Sequence, residues 1–301
     1  MHTDVSEDDP VWLKAKADDF FRSGDIRSAL NAYSSAIDID ENMIVCYANR
    51  SACYLKLNLI DACKMDCDIA IKKLEETPIE SLSSTLIKLY LRRGVAHCQL
   101  GKFQESLSDY CQARVKFEQL PGAALKAMSS VDIDLTSINA DINRLQVLCN
   151  TEIAKREADI LFSEKNLEAA LAKYAMILQI FPYHVSALSN RSACRLALGD
   201  IAGCIDDCSA AITFLDYNPA QDKDLSSKGS YHSMLSSLLP PKNSEKRTQW
   251  LLKTLLRRAV AHTQLDQLQE AIADYERAAS IEPTNANILA DLNSLKSLCK
   301  Q

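Results

Sequence analysis

The chain has 301 residues, of which 47% are hydrophobic, and a formal net charge of −6. This length suits about two ordinary domains, and the apolar fraction is sufficient to fill a core. The negative charge argues against a general nucleic-acid binder, and no uncharged stretch approaches the roughly 18 residues that a membrane span needs. Eleven cysteines without a short-loop framework indicate reduced thiols, as expected of a cytoplasmic protein.

The chain begins with an acidic segment, MHTDVSEDDP, over residues 1–10. A secretory signal would be basic and then apolar, so this segment does not have the pattern of one. We interpret it as an acidic leader or a domain linker.

The rest of the chain contains an internal duplication. The pentapeptide NRSAC begins at Asn49 and again at Asn190, 141 positions later. The segment KLYLRRGVAH begins at Lys88, and its counterpart KTLLRRAVAH begins at Lys253, 165 positions later. The difference between the two offsets indicates that 24 residues are inserted in the second copy.

This duplication predicts two modules, residues 11–150 and residues 151–301. The inserted residues fall in the stretch 216–249, which is polar, rich in serine and interrupted by two prolines. We predict a flexible loop there, because such a composition cannot bury enough apolar surface to fold.

Each module contains a shorter repeat of a bulky, a small and an aromatic residue, followed by a second helical pattern with small residues seven apart. In the first repeat these residues are Leu13, Ala17, Phe20, Gly24, Ala29, Tyr33 and Ala36. Apolar spacings of three and four predict helical hairpins, and the pattern fits six of them. It resembles the tetratricopeptide repeat, which implies an all-α solenoid of two three-repeat clusters.

Two further apolar stripes predict a capping helix at the end of each cluster, since a repeat stack must cover its last apolar face. The stripes are Ile138, Ile142, Leu145 and Leu148, and then Ile288, Leu292, Leu295 and Leu298. Neither Pro nor Gly separates the first stripe from residues 151–163, so we predict one long helix there.

The first helix of each hairpin, helix A, lines the groove of such an array, so its polar residues converge. Those positions hold three cations, an amide and a carboxylate in each module: Lys14, Asp18, Asn49, Lys88 and Arg92, and then Lys155, Asp159, Asn190, Lys253 and Arg257. Arg grips a carboxylate through two bonds, Lys supplies a point charge and Asn a neutral donor. An acidic peptide end is the predicted ligand.

These sets resemble the dicarboxylate clamp with which chaperone-binding tetratricopeptide domains hold the C-terminal Glu-Glu-Val-Asp tail of heat-shock protein 70 or 90. The resemblance implies peptide-binding roles for Lys14, Asn49, Lys88 and Arg92, and for Lys155, Asn190, Lys253 and Arg257. Asp18 and Asp159 replace the clamp's remaining Asn, and each would repel a carboxylate by on the order of 1 kcal/mol in a partly exposed groove. Either the clamp is weakened, or the peptide binds in another register with Asp paired to a neighbouring Lys.

Within the family, the sequence resembles the C-terminal repeat domain of dynein axonemal assembly factor 4. The matching segments are YANRSACYLKLNLIDACKMDCDIAIKKLEE and KLYLRRGVAHCQLGKFQESLSDYCQA. That family normally adds a p23-like domain, whereas this chain has a second repeat module. The resemblance implies a chaperone-adaptor role in dynein assembly in ciliated cells.

Two functions remain open from the sequence: a co-chaperone adaptor that also holds a client, or a scaffold whose grooves bind internal segments of a fixed partner. An enzyme is not expected, because the sequence has no Gly-rich loop, HExxH motif or His-carboxylate cluster. We expect no cofactor or metal. The cysteine pairs Cys63/Cys67 and Cys204/Cys208, and also His97 and His262, occupy packing positions.

Overall fold

The computed structural model describes residues 9–129, 133–216 and 244–299, which form helices and no strand, and it divides into unit 1 (Met1–Cys149) and unit 2 (Asn150–Gln301). Unit 1 contains α1 (Pro10–Ser23), α2 (Ile26–Ile39), α3 (Ile44–Lys56), α4 (Ile60–Glu76), a 3-10 helix (Glu80–Leu82), α5 (Ser83–Gln99), α6 (Phe103–Glu118) and α7 (Gly122–Ser129). Helix α8 (Leu135–Ser163) contains the unit boundary. Unit 2 continues with α9 (Leu167–Ile180), α10 (Val185–Ala197), α11 (Ile201–Asp216), α12 (Glu245–Gln264), α13 (Leu268–Ile281) and α14 (Ala286–Leu298).

The six predicted hairpins are α1/α2, α3/α4 and α5/α6 in unit 1, and α8/α9, α10/α11 and α12/α13 in unit 2. The all-α repeat fold is therefore confirmed. None of the helices in the described residues is both long and apolar enough to cross a membrane.

Each hairpin turns at a residue with a left-handed backbone, which ends helix A and reverses the chain. The φ angles lie between 57° and 86° at Gly24, Asn58, Gly101, Lys165, Gly199 and Asp266. In the first hairpin, Asp25 follows the turn and its Oδ1 accepts a hydrogen bond from Ser28 N at 3.1 Å, which caps α2. Turn and cap together fix where helix B (the second helix of the hairpin) begins.

The small residues of helix A are buried where helices A and B cross. The side chains of Ala17, Ser51, Ala158, Ser192 and Ala259 are all fully buried. Gly94 occupies the sixth such position, and a Cβ there would lie 2.7 Å from two ring carbons of Tyr110. The close crossing of helices A and B therefore depends on the small size of these residues.

Buried arginine–aspartate pairs also join helix A to helix B, and the partners lie 16 residues apart. The shortest nitrogen–oxygen distances in Arg50–Asp66, Arg93–Asp109, Arg191–Asp207 and Arg258–Asp274 are 2.6 to 2.8 Å. Each Asp side chain is at most 6% exposed. Because removing one partner would leave a buried charge uncompensated, these pairs hold the hairpins in register.

Helix α8 is continuous over its 29 residues, as predicted, and its Ile138, Ile142, Leu145 and Leu148 are buried. In α14, Ile288, Leu292 and Leu295 are buried, but Leu298 is 53% exposed. The predicted stripe is therefore one residue too long, because Leu298 is the last residue of the helix and extends past the core. Helix α7 was not predicted.

Residues 217–243 of the predicted loop, like the leader residues 1–8, lie outside the described residues. At its far end the loop is shorter than expected, because α12 begins at Glu245. Ser244 caps this helix by accepting from Arg247 N, and Arg247 Nε donates to the carbonyl of Leu215 at 2.9 Å. This buried contact anchors the first turn of α12 to the end of α11.

Gly94→Ala should destabilise unit 1 by about 1 to 3 kcal/mol, although alanine is the better helix former. The added methyl group would force the Tyr110 ring away from α5. Urea unfolding followed by circular dichroism measures the change. Gly122→Ala is the control, because a Cβ at Gly122 meets nothing within 4 Å. Equal stability of the two variants would contradict the size constraint.

Candidate functional site

The polar residues predicted to converge lie on the helix A of each hairpin. We define site 1 as Lys14 and Asp18 on α1, Asn49 on α3, and Lys88 and Arg92 on α5. Site 2 is its copy, with Lys155 and Asp159 on α8, Asn190 on α10, and Lys253 and Arg257 on α12. On α1, α5, α8 and α12 the two site residues are four positions apart, so they share one face of the helix.

The centre of site 1 is the carboxylate of Asp18. Its Oδ1 accepts hydrogen bonds from the Tyr33 hydroxyl at 2.5 Å and from Asn49 Nδ2 at 3.0 Å. Its Oδ2 pairs with Lys14 Nζ at 2.6 Å. One carboxylate thus joins α1, α2 and α3, and it already contacts two of the predicted peptide-binding residues.

Site 2 repeats this arrangement around Asp159. Tyr174 OH and Asn190 Nδ2 donate to Oδ1 at 2.5 and 2.9 Å, and Lys155 Nζ lies 2.6 Å from Oδ2. Asn190 Nδ2 also donates to the Tyr174 hydroxyl at 3.2 Å. In both copies, the aspartate at the position of the expected clamp asparagine therefore accepts from three donors.

Both aspartates are charged at neutral pH. Partial burial disfavours ionisation of Asp18, but hydrogen bonds from Lys14, Tyr33 and Asn49 outweigh it and lower its pKa below the ordinary value. The pKa of Asp159 is lowered in the same way. Burial and the adjacent carboxylate raise the pKa of the Tyr33 hydroxyl, so the tyrosine remains a donor.

The arginine of each site is fixed by the helix A of the preceding hairpin. Arg92 Nη1 donates to the carbonyl of Ala48 at 2.6 Å and to Ser51 Oγ at 2.9 Å. Arg257 Nη1 donates in the same way to Ser189 O and Ser192 Oγ, at 2.6 and 3.1 Å. Across the described ranges, no other nitrogen of either guanidinium donates a hydrogen bond. Each arginine therefore holds its position through one nitrogen and leaves the others for a ligand.

The remaining lysines lie one turn before these arginines. Lys88 is half-buried and Lys253 is exposed. Neither lysine forms an ion pair or a hydrogen bond with another described residue. Both are therefore separate from the aspartate network. With Lys14 paired to Asp18, Lys88 and Arg92 are the two cations of site 1 that have no acidic partner among the described residues.

The repeat pattern placed Tyr33 in a packing position, Tyr174 was not singled out from the sequence, and the role of both as donors was missed. Both rings are buried, but each hydroxyl bonds to the aspartate of its site. The available signal was the spacing of 15 residues from Asp18 to Tyr33, which recurs from Asp159 to Tyr174.

The other predicted packing residues are not among the residues of site 1 or site 2. Cys63, Cys67, Cys204 and Cys208 are fully buried, and the neighbouring thiol together with burial raises the pKa of Cys63. His97 is buried with Nδ1 3.0 Å from Asp109 Oδ2, whereas His262 is half-buried beside Gln267. Among the described residues, no group of three or more His, Cys, Asp or Glu side chains has the arrangement of a metal site.

The tetratricopeptide repeat family model matches residues 252–285, which contain most of α12 and all of α13. This match identifies residues 252–285 as a tetratricopeptide repeat. The other five hairpins have the same helical-hairpin architecture.

The chain is 34% identical over 126 residues to dynein axonemal assembly factor 4 of Pongo pygmaeus, covering 39% of this chain and 30% of the relative. It is 22% identical over 338 residues to human sperm-associated antigen 1, covering 97% of this chain and 32% of that protein. Thus the chain spans about a third of the length of these relatives. Among solved structures, the TPR2AB domain of yeast Sti1 in complex with pHSP90 is 15% identical with a TM-score of 0.36, covering 97% of this chain and 98% of that one.

Site 2 adjoins a buried histidine that site 1 lacks. His184 caps α10 and accepts from Ala187 N through Nδ1 at 3.3 Å; Met43 occupies the same position in unit 1. Burial, and then the charge of Lys155, lower the pKa of His184 to about 4, although its own backbone and Asp159 act in the opposite direction.

Unit 2 should therefore lose stability as the pH falls from about 6.5 to about 4, because only unfolded His184 takes up a proton in that window. The loss attributable to His184 is on the order of 3 kcal/mol. Urea unfolding followed by Trp250 fluorescence in a Trp12→Phe background isolates unit 2. His184→Asn keeps a capping acceptor without the titration, so an equal acid-induced loss in this variant would contradict the assignment.

Proposed function

We propose that the chain is a protein-binding adaptor that holds acidic C-terminal peptides in site 1 and site 2. The observation that supports this most is the duplicated pair of a positioned arginine and an unpaired lysine one turn away, Arg92 with Lys88 and Arg257 with Lys253. A guanidinium with free nitrogens can bind a carboxylate through two bonds, and a nearby ammonium adds charge.

In this proposal the aspartate network prepares the site. Asp18 holds Lys14 and Asn49 in fixed rotamers, so these side chains lose little entropy when a peptide binds. The Asn49 amide has a second N–H that can donate to the peptide while the first stays on Asp18. The cost is a negative charge beside the ligand.

The ligands proposed are the Glu-Glu-Val-Asp tails of heat-shock protein 70 or 90, with a client protein held elsewhere on the chain. The relatives named as dynein axonemal assembly factor 4 support a role in axonemal dynein assembly in the cytoplasm of ciliated cells. The chain would bind its partners and catalyse no reaction.

A scaffold that binds internal segments of a fixed partner is the alternative function. It is supported by the Asp18 carboxylate, which already binds the ammonium group of Lys14 and the amide of Asn49. A partner that offers backbone and amide groups instead of a free carboxylate would not be repelled by Asp18.

The two functions predict different results with peptides ending in Glu-Glu-Val-Asp. The adaptor should bind the free acid with micromolar affinity in a calorimetric titration, and amidation of the C-terminus should remove most of that affinity because it removes the terminal charge. Lys88→Ala/Arg92→Ala and Lys253→Ala/Arg257→Ala should each abolish binding at one site. If folded wild-type protein binds neither peptide, the adaptor is excluded and the scaffold remains.

Asp18→Asn should increase the affinity of site 1 for the free-acid peptide by about five-fold, because it removes a repulsion on the order of 1 kcal/mol and frees Lys14. The titration is made in the Lys253→Ala/Arg257→Ala background, which leaves site 1 alone. Asp38→Asn removes an exposed carboxylate from α2 outside the site and should leave the affinity unchanged. A weaker Asp18→Asn complex would show that the carboxylate's positioning role outweighs its charge.

A further inference from the structure

The two sites share their charged residues but differ further along the same helix faces. We infer that site 1 and site 2 select different residues upstream of the peptide's C-terminus: an acidic residue in site 1 and an aromatic or aliphatic residue in site 2. This inference rests on the proposed function. Its evidence is a difference between two copies that are otherwise closely matched.

In unit 1 the faces of α1 and α3 continue to an aromatic ring and a cation. Phe21 lies three residues after Asp18, and Lys56 lies seven residues after Asn49, so both stay on the site's side of their helices. Lys56 Nζ lies 5.4 Å from the centroid of the Phe21 ring. The half-buried ring therefore has an exposed ammonium group above it.

In unit 2 the aromatic ring is kept, but the position that corresponds to Lys56 holds an alanine. Phe162 lies three residues after Asp159 and is 37% exposed, a large fraction for a phenylalanine. The residue seven after Asn190 is Ala197, which carries no charge. The second site therefore offers an open aromatic surface where the first offers a positive charge.

These residues are within reach of a bound peptide. Seven residues of helix advance by about 10 Å, so Lys56 lies that far along α3 from Asn49. About three residues of extended chain cover the same distance. If the terminal carboxylate binds at the clamp residues, the residue three positions before the last lies at Lys56 in site 1 and at Phe162 in site 2.

The chemistry at that position then differs between the sites. An exposed ammonium pairs with an acidic side chain, and its contact with Phe21 is too weak to prevent this. An uncovered phenylalanine ring favours an apolar or aromatic side chain, because the contact removes apolar surface of both groups from water. A chain with both sites would thus hold two different tails at once.

The test uses acetylated Gly-Ser-X-Glu-Val-Asp peptides in which X is Glu, Phe or Ser. Lys253→Ala/Arg257→Ala leaves site 1 as the reporter, and Lys88→Ala/Arg92→Ala leaves site 2. In calorimetry, site 1 should bind the peptide with X = Glu about three-fold more tightly than the peptide with X = Phe, as expected for one exposed contact. Site 2 should show the reverse order. Circular dichroism verifies that each variant is folded.

A reciprocal exchange assigns the preference to a single position. Lys56→Ala should remove the preference of site 1 for Glu, and Ala197→Lys should give that preference to site 2. Lys72→Ala is the matched control, because Lys72 lies on α4 with 76% of its side chain exposed and pairs with Glu76.

The outcomes separate the two proposals. If the three peptides bind with the same order of affinity in both sites, or if the exchange has no effect, this inference is overturned and the proposed function stands. If none of the peptides binds either site, the proposed function fails, and the selectivity inferred from it fails as well.

Discussion

The carboxylate of Asp18, repeated as Asp159, is the interaction on which each helix A face depends. It accepts a tyrosine hydroxyl from helix B of its own hairpin, an asparagine amide from the next helix A, and the ammonium group of a lysine one turn earlier. A partly buried carboxylate with this many donors stays ionised and keeps them in place. The same group that joins three helices therefore also sets the rotamers of two predicted ligand-binding residues.

This arrangement changes how a repeat stack can bind an acidic peptide. An asparagine in the same place would add a donor, whereas the aspartate adds a charge and consumes one lysine. The proposed function rests on the second lysine and the arginine of each site, which have no acidic partner among the described residues of their units. In the proposed function, the charge that attracts the peptide then comes mainly from the third hairpin of each unit, while Asn49 and Asn190 of the second hairpins add amide donors that the aspartates hold in place.

The duplication also explains why the two units differ only in places. Residues that join helices, such as the small residue at each crossing and the buried arginine–aspartate pairs, are kept in both copies. Other positions are free of that constraint: the exposed Lys56 corresponds to Ala197, and Met43, which precedes α3, corresponds to the buried His184, which precedes α10. Such positions can give each copy its own ligand preference and its own response to pH.

Most of the fold could be read from the sequence because repeat periodicity determines which faces are buried. The offset between Asn49 and Asn190 predicted the duplication, and the spacing of residues such as Leu13 and Ala17 predicted the helical hairpins. The site was predicted only in part: position along a helix follows from spacing, but the partner of a hydroxyl such as that of Tyr33 depends on how the helices pack. The predictions failed for the exposure of Leu298 and for the start of α12 at Glu245. Both lie at helix ends, whose positions are set by local capping more than by periodicity.

The most direct test of this account observes the side-chain amides of Asn49 and Asn190 by nuclear magnetic resonance. We predict that adding a free-acid Glu-Glu-Val-Asp peptide shifts both side-chain NH₂ signals, that the amidated peptide does not, and that Asn49→Ala and Asn190→Ala identify the two signals. Binding of the peptide without movement of either signal would contradict the account, because it would show that the ligand does not contact the residues that the two aspartates hold.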